Sequence, residues 1–155
     1  DIDVVQSCVK WSVKTKHFTK MQGQDIPYRM LSLDPFSRWL GIKIISSEVG
    51  QVKVGLTIRQ EMLNSMGKAH GGIAYSLADT AFGFSANTNG RKSVSIETSI
   101  NHIEALNEGD EIYAEVALES LKNKLGFYNI LIKREETVVA IFKGVAFRTS
   151  QEWED

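Results

Sequence analysis

Apolar and polar residues alternate strictly through residues 51–59. Val52, Val54, Leu56 and Ile58 fall on one side, Gln51, Lys53, Gly55 and Thr57 on the other, which is the two-residue period of a half-buried strand. Similar patterning predicts strands over 41–48, 93–103, 111–121, 126–134 and 137–148. Turn formers separate them: Val49-Gly50, Asn107-Glu108-Gly109-Asp110, Lys122-Asn123-Lys124 and Glu135-Glu136. One segment breaks the pattern. From Gly71 to Ala86 every residue except Asp79 is apolar, small or a neutral hydroxyl carrier, and a helix that is apolar on nearly all sides is a buried one. Asn87-Thr88-Asn89-Gly90 should end it. A long buried helix followed by consecutive antiparallel strands predicts an α+β domain, with five to six strands wrapped on the helix. Such a sheet leaves an edge strand exposed, and pairing with a second copy would cover it.

Upstream, a short helix is expected over 28–39, with Asp34 and Pro35 as N-cap and first-turn residue. Residues 1–27 read as an N-terminal extension to a single domain over 28–150. In the extension Val5, Val9 and Val13 recur every four residues beside Lys10, Lys14, Lys16 and Lys20, the spacing of an amphipathic helix. Its basic side is either a solvated flank or a contact for a partner or membrane surface.

A length of 155 residues with 43% hydrophobic composition supports one ordinary core. The net charge of −1, with mixed signs throughout, argues against a nucleic-acid partner. The single cysteine, Cys8, fits a reducing compartment, and the cytoplasm is the expected location. No secretory signal is visible in a chain that begins at Asp1, and the 71–86 run is too short to cross a bilayer. His17, His70 and His102 show no metal-ligand spacing, so no metal site is expected. Nor is there a Gly-x-Ser-x-Gly elbow or a glycine-rich phosphate loop.

Asp79 is then the residue that needs a reason, since an unpaired buried carboxylate is costly unless it is paired, protonated or used in chemistry. The helix start offers a complementary feature. Gly71 and Gly72 present unpaired N–H groups and the positive dipole end without side chains in the way, which suits the oxyanion of an acyl-transfer reaction. Eight residues at 1.5 Å each separate Gly71 from Asp79 by about 12 Å. If both act on one carbonyl, a second antiparallel helix must bring Asp79 to the Gly71 amide, and a twofold dimer does so.

The run Asn64 … His70-Gly71-Gly72 … Leu77-Ala78-Asp79-Thr80-Ala81 resembles the signature of the PaaI-like branch of hotdog-fold acyl-CoA thioesterases. In that family an Asn lies six residues before the His and an acid nine after it, as here. Asp34-Pro35-Phe36-Ser37-Arg38-Trp39-Leu40-Gly41-Ile42 is similar to the family's opening segment, so the likeness spans roughly residues 28–148. The resemblance implies a hotdog fold, a homodimer that commonly forms a dimer of dimers, and hydrolysis of an acyl-CoA with no cofactor beyond the coenzyme A of the substrate. It implies Asp79 as nucleophile or general base, the Gly71 amide as carbonyl donor, Asn64 holding the carbonyl or the water, and Ser95 as a hydroxyl that orients water.

Each residue has a plainer reading. Asp79 would be a satisfied buried acid, Asn64 a turn residue before Ser65-Met66-Gly67, His70 a helix-start residue and Ser95 an outward-facing strand serine. Burial raises the Asp79 pKa and a facing helix N-terminus lowers it, so the sequence leaves the net direction open. Gly72, Thr80 and Gly83 are candidates for contact with substrate, Gly83 because relatives place a bulkier or hydroxyl residue there. Tyr75, Phe82, Phe84 and Met66 would suit an aromatic or medium-chain acyl group, or are simply core. Where relatives carry an aromatic, an aliphatic, Arg and Pro after the strand Asn, this chain reads Asn101-His102-Ile103-Glu104-Ala105. Glu104 would repel phosphates. That leaves Arg91 and Lys92, with Lys122 and Lys124, as cations for the nucleotide, on loops flanking the strands. Two other functions share these features: a non-catalytic acyl-CoA-binding or regulatory hotdog protein, and a hotdog hydratase acting on enoyl or hydroxyacyl thioesters.

Overall fold

The structure, a computed structural model, describes residues 20–154. The amphipathic pattern at Val5, Val9 and Val13, and Cys8, lie outside the described residues. The order is α1 (Ile26–Leu33), α2 (Pro35–Leu40), β1 (Lys43–Glu48), β2 (Gln51–Thr57), α3 (Gly71–Asn87), β3 (Arg91–His102), β4 (Glu111–Leu121), β5 (Leu125–Arg134) and β6 (Thr137–Glu152), with 3₁₀ turns at Gly23–Asp25 and Gln60–Met62. All strand pairs are antiparallel, in the order β1-β2-β4-β5-β6-β3. Helix α3 leaves β2, one strand in from the β1 edge, and returns to β3 at the opposite edge, packing on every strand but β1 on the way.

The alternating faces of the strands make the core. Val52, Val54 and Leu56 from β2, Ile112 and Ala114 from β4, Ile130 and Ile132 from β5 and Phe142 from β6 close over Leu77, Ala78, Ala81 and Phe82 of α3. Phe82 packs edge-on against Tyr128, with ring centroids 5.3 Å apart. A Cβ at Gly144 would lie 2.8 Å from that Phe82 ring, so the strand must carry a glycine for the helix to approach this closely. Phe82 is therefore core, while Met66 stands 78% exposed on the loop before α3.

The single helix expected over 28–39 is two helices, and proline chemistry is the reason. Pro35 drives Asp34 out of the helical region, to φ −100° and ψ 96°. The Asp34 carboxylate then caps α2 by accepting from the Ser37 backbone N–H at 3.0 Å. Gly41, in the left-handed region at φ +80°, ends α2, so β1 begins at Lys43 and not at residue 41. Helix α1 starts at Ile26, which is fully buried, two residues before the expected domain start. At the other end β6 runs four residues beyond 148, and the Trp153 indole donates to Asn87 Oδ1 at 2.7 Å.

Helix α3 is not enclosed on all sides within one chain. The sheet covers one side, and Met30 and Leu31 of α1 pack against the core. Gly72, Ser76, Asp79, Thr80 and Gly83 remain partly accessible along one stripe, at the spacing of residues that share a helix face. Among the described residues β3 pairs only with β6, and its outer edge carries Val94 and Ile96 at 55% and 58% exposure.

Candidate active site

The loop before α3 is folded by Asn64. Its Oδ1 accepts from the backbone N–H groups of Met66 at 2.9 Å and Lys68 at 3.2 Å, and Gly67, at φ +69°, completes the turn. With Oδ1 occupied, the Asn64 amide is oriented and its NH2 group is the end left to face a ligand. Asn64 is thus both a turn residue and a fixed donor.

His70 is the N-cap of α3: its Nδ1 accepts from the Gly72 N–H at 3.0 Å. Accepting at Nδ1 places the ring proton on Nε2. This contact separates the two glycines chemically. The Gly72 N–H is taken, whereas the Gly71 N–H donates to no acceptor among the described residues. The dipole end of α3 therefore offers one free donor, and it belongs to Gly71. A cleft of about 320 Å³ opens here, lined by Asn64, Lys68, His70, Gly71, His102 and Glu104 among others.

His102 was not among the sequence-derived site candidates, and the structure places it beside the Gly71 α-carbon. A Cβ on Gly71 would lie 3.1 Å from its Nε2. The available signal was its position at the end of the strand after α3, where relatives place an aromatic ring. Glu104 shares one cation with a second acid: Arg134 donates from Nη2 to its Oε2 at 3.0 Å and from Nη1 to Asp110 at 3.1 Å, so the cluster stays net negative. Lys68 donates to Asn107 Oδ1 at 2.7 Å.

Asp79 lies two turns along α3 in a second cleft, of about 220 Å³, between α3 and the α1–α2 pair; Met30, Phe36, Ser76, Gly83 and Phe84 also line it. Its carboxylate accepts no hydrogen bond from the described residues, and burial alone pushes its pKa above the ordinary aspartate range. A Cβ at Gly83 would meet nothing within 4 Å, so this position keeps the cleft open. Thr80 turns to α2, its hydroxyl 3.2 Å from that of Ser37. Tyr75 packs edge-on against Phe142 and bonds the Thr98 hydroxyl.

The remaining candidates lie on β3. Ser95 is exposed beside a bulge, where the β6 register slips between Ser95 and Glu97; bulges commonly re-aim side chains near active sites. Arg91 and Lys92 belong to β3 and not to a flanking loop, because the strand begins two residues earlier than expected. Arg91 donates to the carbonyls of Thr149, Asn123 and Arg148, locking β3 to β6. The Lys92 ammonium lies 5.5 Å from the Trp153 ring centroid.

Residues 66–141 match the Thioesterase superfamily profile. An acyl-coenzyme A thioesterase, PaaI of Escherichia coli, is 32% identical over 122 residues, covering 78% of this chain and 87% of that protein. A putative esterase of Archaeoglobus fulgidus is 32% identical over 125 residues, covering 80% and 81%. The chain belongs to the thioesterase superfamily. Its fold agrees: the solved structure of E. coli PaaI superposes with a TM-score of 0.82 at 30% identity, over 86% of this chain and 97% of that one. This thioesterase has the PaaI-like hotdog architecture, and it is a thioester hydrolase. No helix among the described residues is long and apolar enough to cross a membrane.

Proposed function

We propose that the protein hydrolyses an acyl-CoA with an aromatic or medium- to long-chain acyl group, at sites shared between two copies of the chain. The observation that carries this is the division of α3. Its start has a free N–H at Gly71 beside the oriented Asn64 amide, and two turns on sits a carboxylate with no protein donor. The two are about 12 Å apart along one axis, too far to act on one carbonyl from the same helix. The accessible stripe of α3 and the open edge of β3 support an antiparallel twofold pairing that brings Asp79 of one copy to Gly71 and Asn64 of the other.

In this arrangement the Gly71 N–H polarises the thioester oxygen and stabilises the charge that builds there. Asn64 holds the carbonyl or the water through its NH2. Asp79, which must be ionised to act, either adds to the carbonyl carbon or takes a proton from an attacking water. The C–S bond then breaks and CoA leaves as the thiolate; on the first route water next hydrolyses the acyl–Asp79 anhydride and restores the carboxylate, and on the second the attacking water already supplies the oxygen of the product acid. Engagement of His70 Nδ1 by its own helix disfavours the acid–histidine pair of a hydratase.

The test is thiol release from acetyl-, octanoyl-, dodecanoyl- and phenylacetyl-CoA by wild type and Asp79→Ala. Turnover that is lost in a folded variant of unchanged oligomer size is expected. Wild-type turnover by Asp79→Ala, with contaminating esterase controlled, overturns the mechanism.

A further inference from the structure

Among the described residues Ser37 is the one buried polar side chain that joins the α1–α2 pair to the helix bearing Asp79. It is 0% exposed, and its hydroxyl bonds Asp34 Oδ2 on one side and lies 3.2 Å from Thr80 Oγ1 on the other. The Asp34 carboxylate, which also accepts from the Ser37 backbone N–H, accepts only. The Ser37 proton must therefore point to Asp34, and Ser37 accepts from Thr80. The result is a directed chain, Thr80 to Ser37 to Asp34, running from the residue beside Asp79 into the cap of α2. Met30 and Phe36 flank this chain on the α1–α2 side of the Asp79 cleft, and Gly83 leaves the α3 side open.

We propose that Ser37 is a positioning residue for acyl selection: through Thr80 it holds α2 against α3 and fixes the Met30–Phe36 wall on which the apolar acyl group lies. This rests on the reading of Asp79 given above. The scissile carbonyl must sit beside Asp79 for attack, so the acyl group leaves that point into the cleft opening there. The free Gly71 N–H and His102 belong to the other cleft of the same chain, which serves the carbonyl of the second site. A buried hydroxyl chain suits this task because losing one member leaves the others unsatisfied and lets the wall shift.

The test compares kcat and KM for octanoyl-CoA and acetyl-CoA in wild type, Ser37→Ala, Thr80→Val, Thr80→Ser and the Ser37→Ala/Thr80→Val double variant. The octanoyl-to-acetyl ratio of kcat/KM is expected to fall about tenfold in Ser37→Ala and Thr80→Val, the weight of one buried hydrogen bond, and mainly through KM. Thr80→Ser, which keeps the hydroxyl, should retain the wild-type ratio, and the double variant should lose no more than either single one. A merely structural role would lower both substrates alike. An unchanged ratio in Thr80→Val, or an equal fall in Thr80→Ser, overturns the proposal, and Thr80→Val decides it even if Ser37→Ala does not fold. With an active wild type and an unchanged ratio, only the positioning role fails. No thiol release by wild type from any acyl-CoA overturns the assignment of the site, and this proposal with it.

Discussion

Replacing Gly71 by proline tests the oxyanion donor with little else disturbed. Gly71 is the first residue of α3, and its N–H donates to no acceptor among the described residues, so removing it costs the fold no hydrogen bond. Proline is well tolerated at this helix position. His70 already has φ −60° and ψ 136°, the extended conformation that a residue before proline requires. The Cβ that both variants share would stand 3.1 Å from Nε2 of the exposed His102, which can rotate away; proline alone also puts a Cδ where the N–H pointed. Gly71→Ala carries the same Cβ and keeps the N–H, so it is the control. Loss of one oxyanion donor costs about 2.7–4 kcal/mol, or about 10²–10³ in kcat. Gly71→Pro should therefore turn over about 10²–10³ times more slowly than Gly71→Ala under saturating substrate, and melt within about 4 °C of it. Thiol release under saturating acyl-CoA measures the first quantity and a thermal melt the second. If Gly71→Pro keeps more than about a tenth of the Gly71→Ala kcat, this N–H is not the donor that stabilises the transition state.

Four further outcomes follow from other parts of the site. Asp79→Asn should lower kcat by at least about 10² and raise the melting temperature, more at pH 8 than at pH 4. Within one chain burial raises the Asp79 pKa; where that outweighs the facing Gly71 N–H of the other copy, the folded state binds the proton more tightly and wild-type stability falls as pH rises from the unfolded to the folded value. A melting temperature that drops equally at both pH values would contradict this. Because Asp79 acts ionised, wild-type kcat should rise with pH along a limb lying above the usual aspartate range; a pH–rate profile flat from pH 4 upward would count against it. Asn64→Asp keeps the acceptor for Met66 and Lys68 and removes the NH2, so turnover should fall while the melting temperature changes by less than in Asn64→Ala. Equal activity of Asn64→Asp and wild type would return Asn64 to a turn residue alone. Ile96→Lys, on the open edge of β3, should convert dimer to monomer in sedimentation and abolish turnover; an active monomer would refute the shared site.

The sequence by itself determined the element types and the chemistry on offer. Alternation marked the strands because a two-residue period leaves no doubt about which side is buried, and the uninterrupted apolar run marked α3 because only a core helix can carry it. Asp79 stood out because an isolated charge in such a run is expensive. The tertiary structure alone decided which of the offered groups are free. The family resemblance singled out the Gly71 amide, but only the structure gives the physical reason: the His70 ring occupies the Gly72 N–H and leaves that of Gly71 free. Arg91 looked like a phosphate ligand until its guanidinium was found on three carbonyls of neighbouring segments, and Glu104 looked like an unpaired charge until Arg134 reached it from β5. Ser37 and His102 entered the site from residues 43 and 31 positions away in the chain from the groups they face. Local patterning reports burial and period, which are properties of a segment. Whether a polar atom is satisfied depends on a partner that the chain brings from elsewhere.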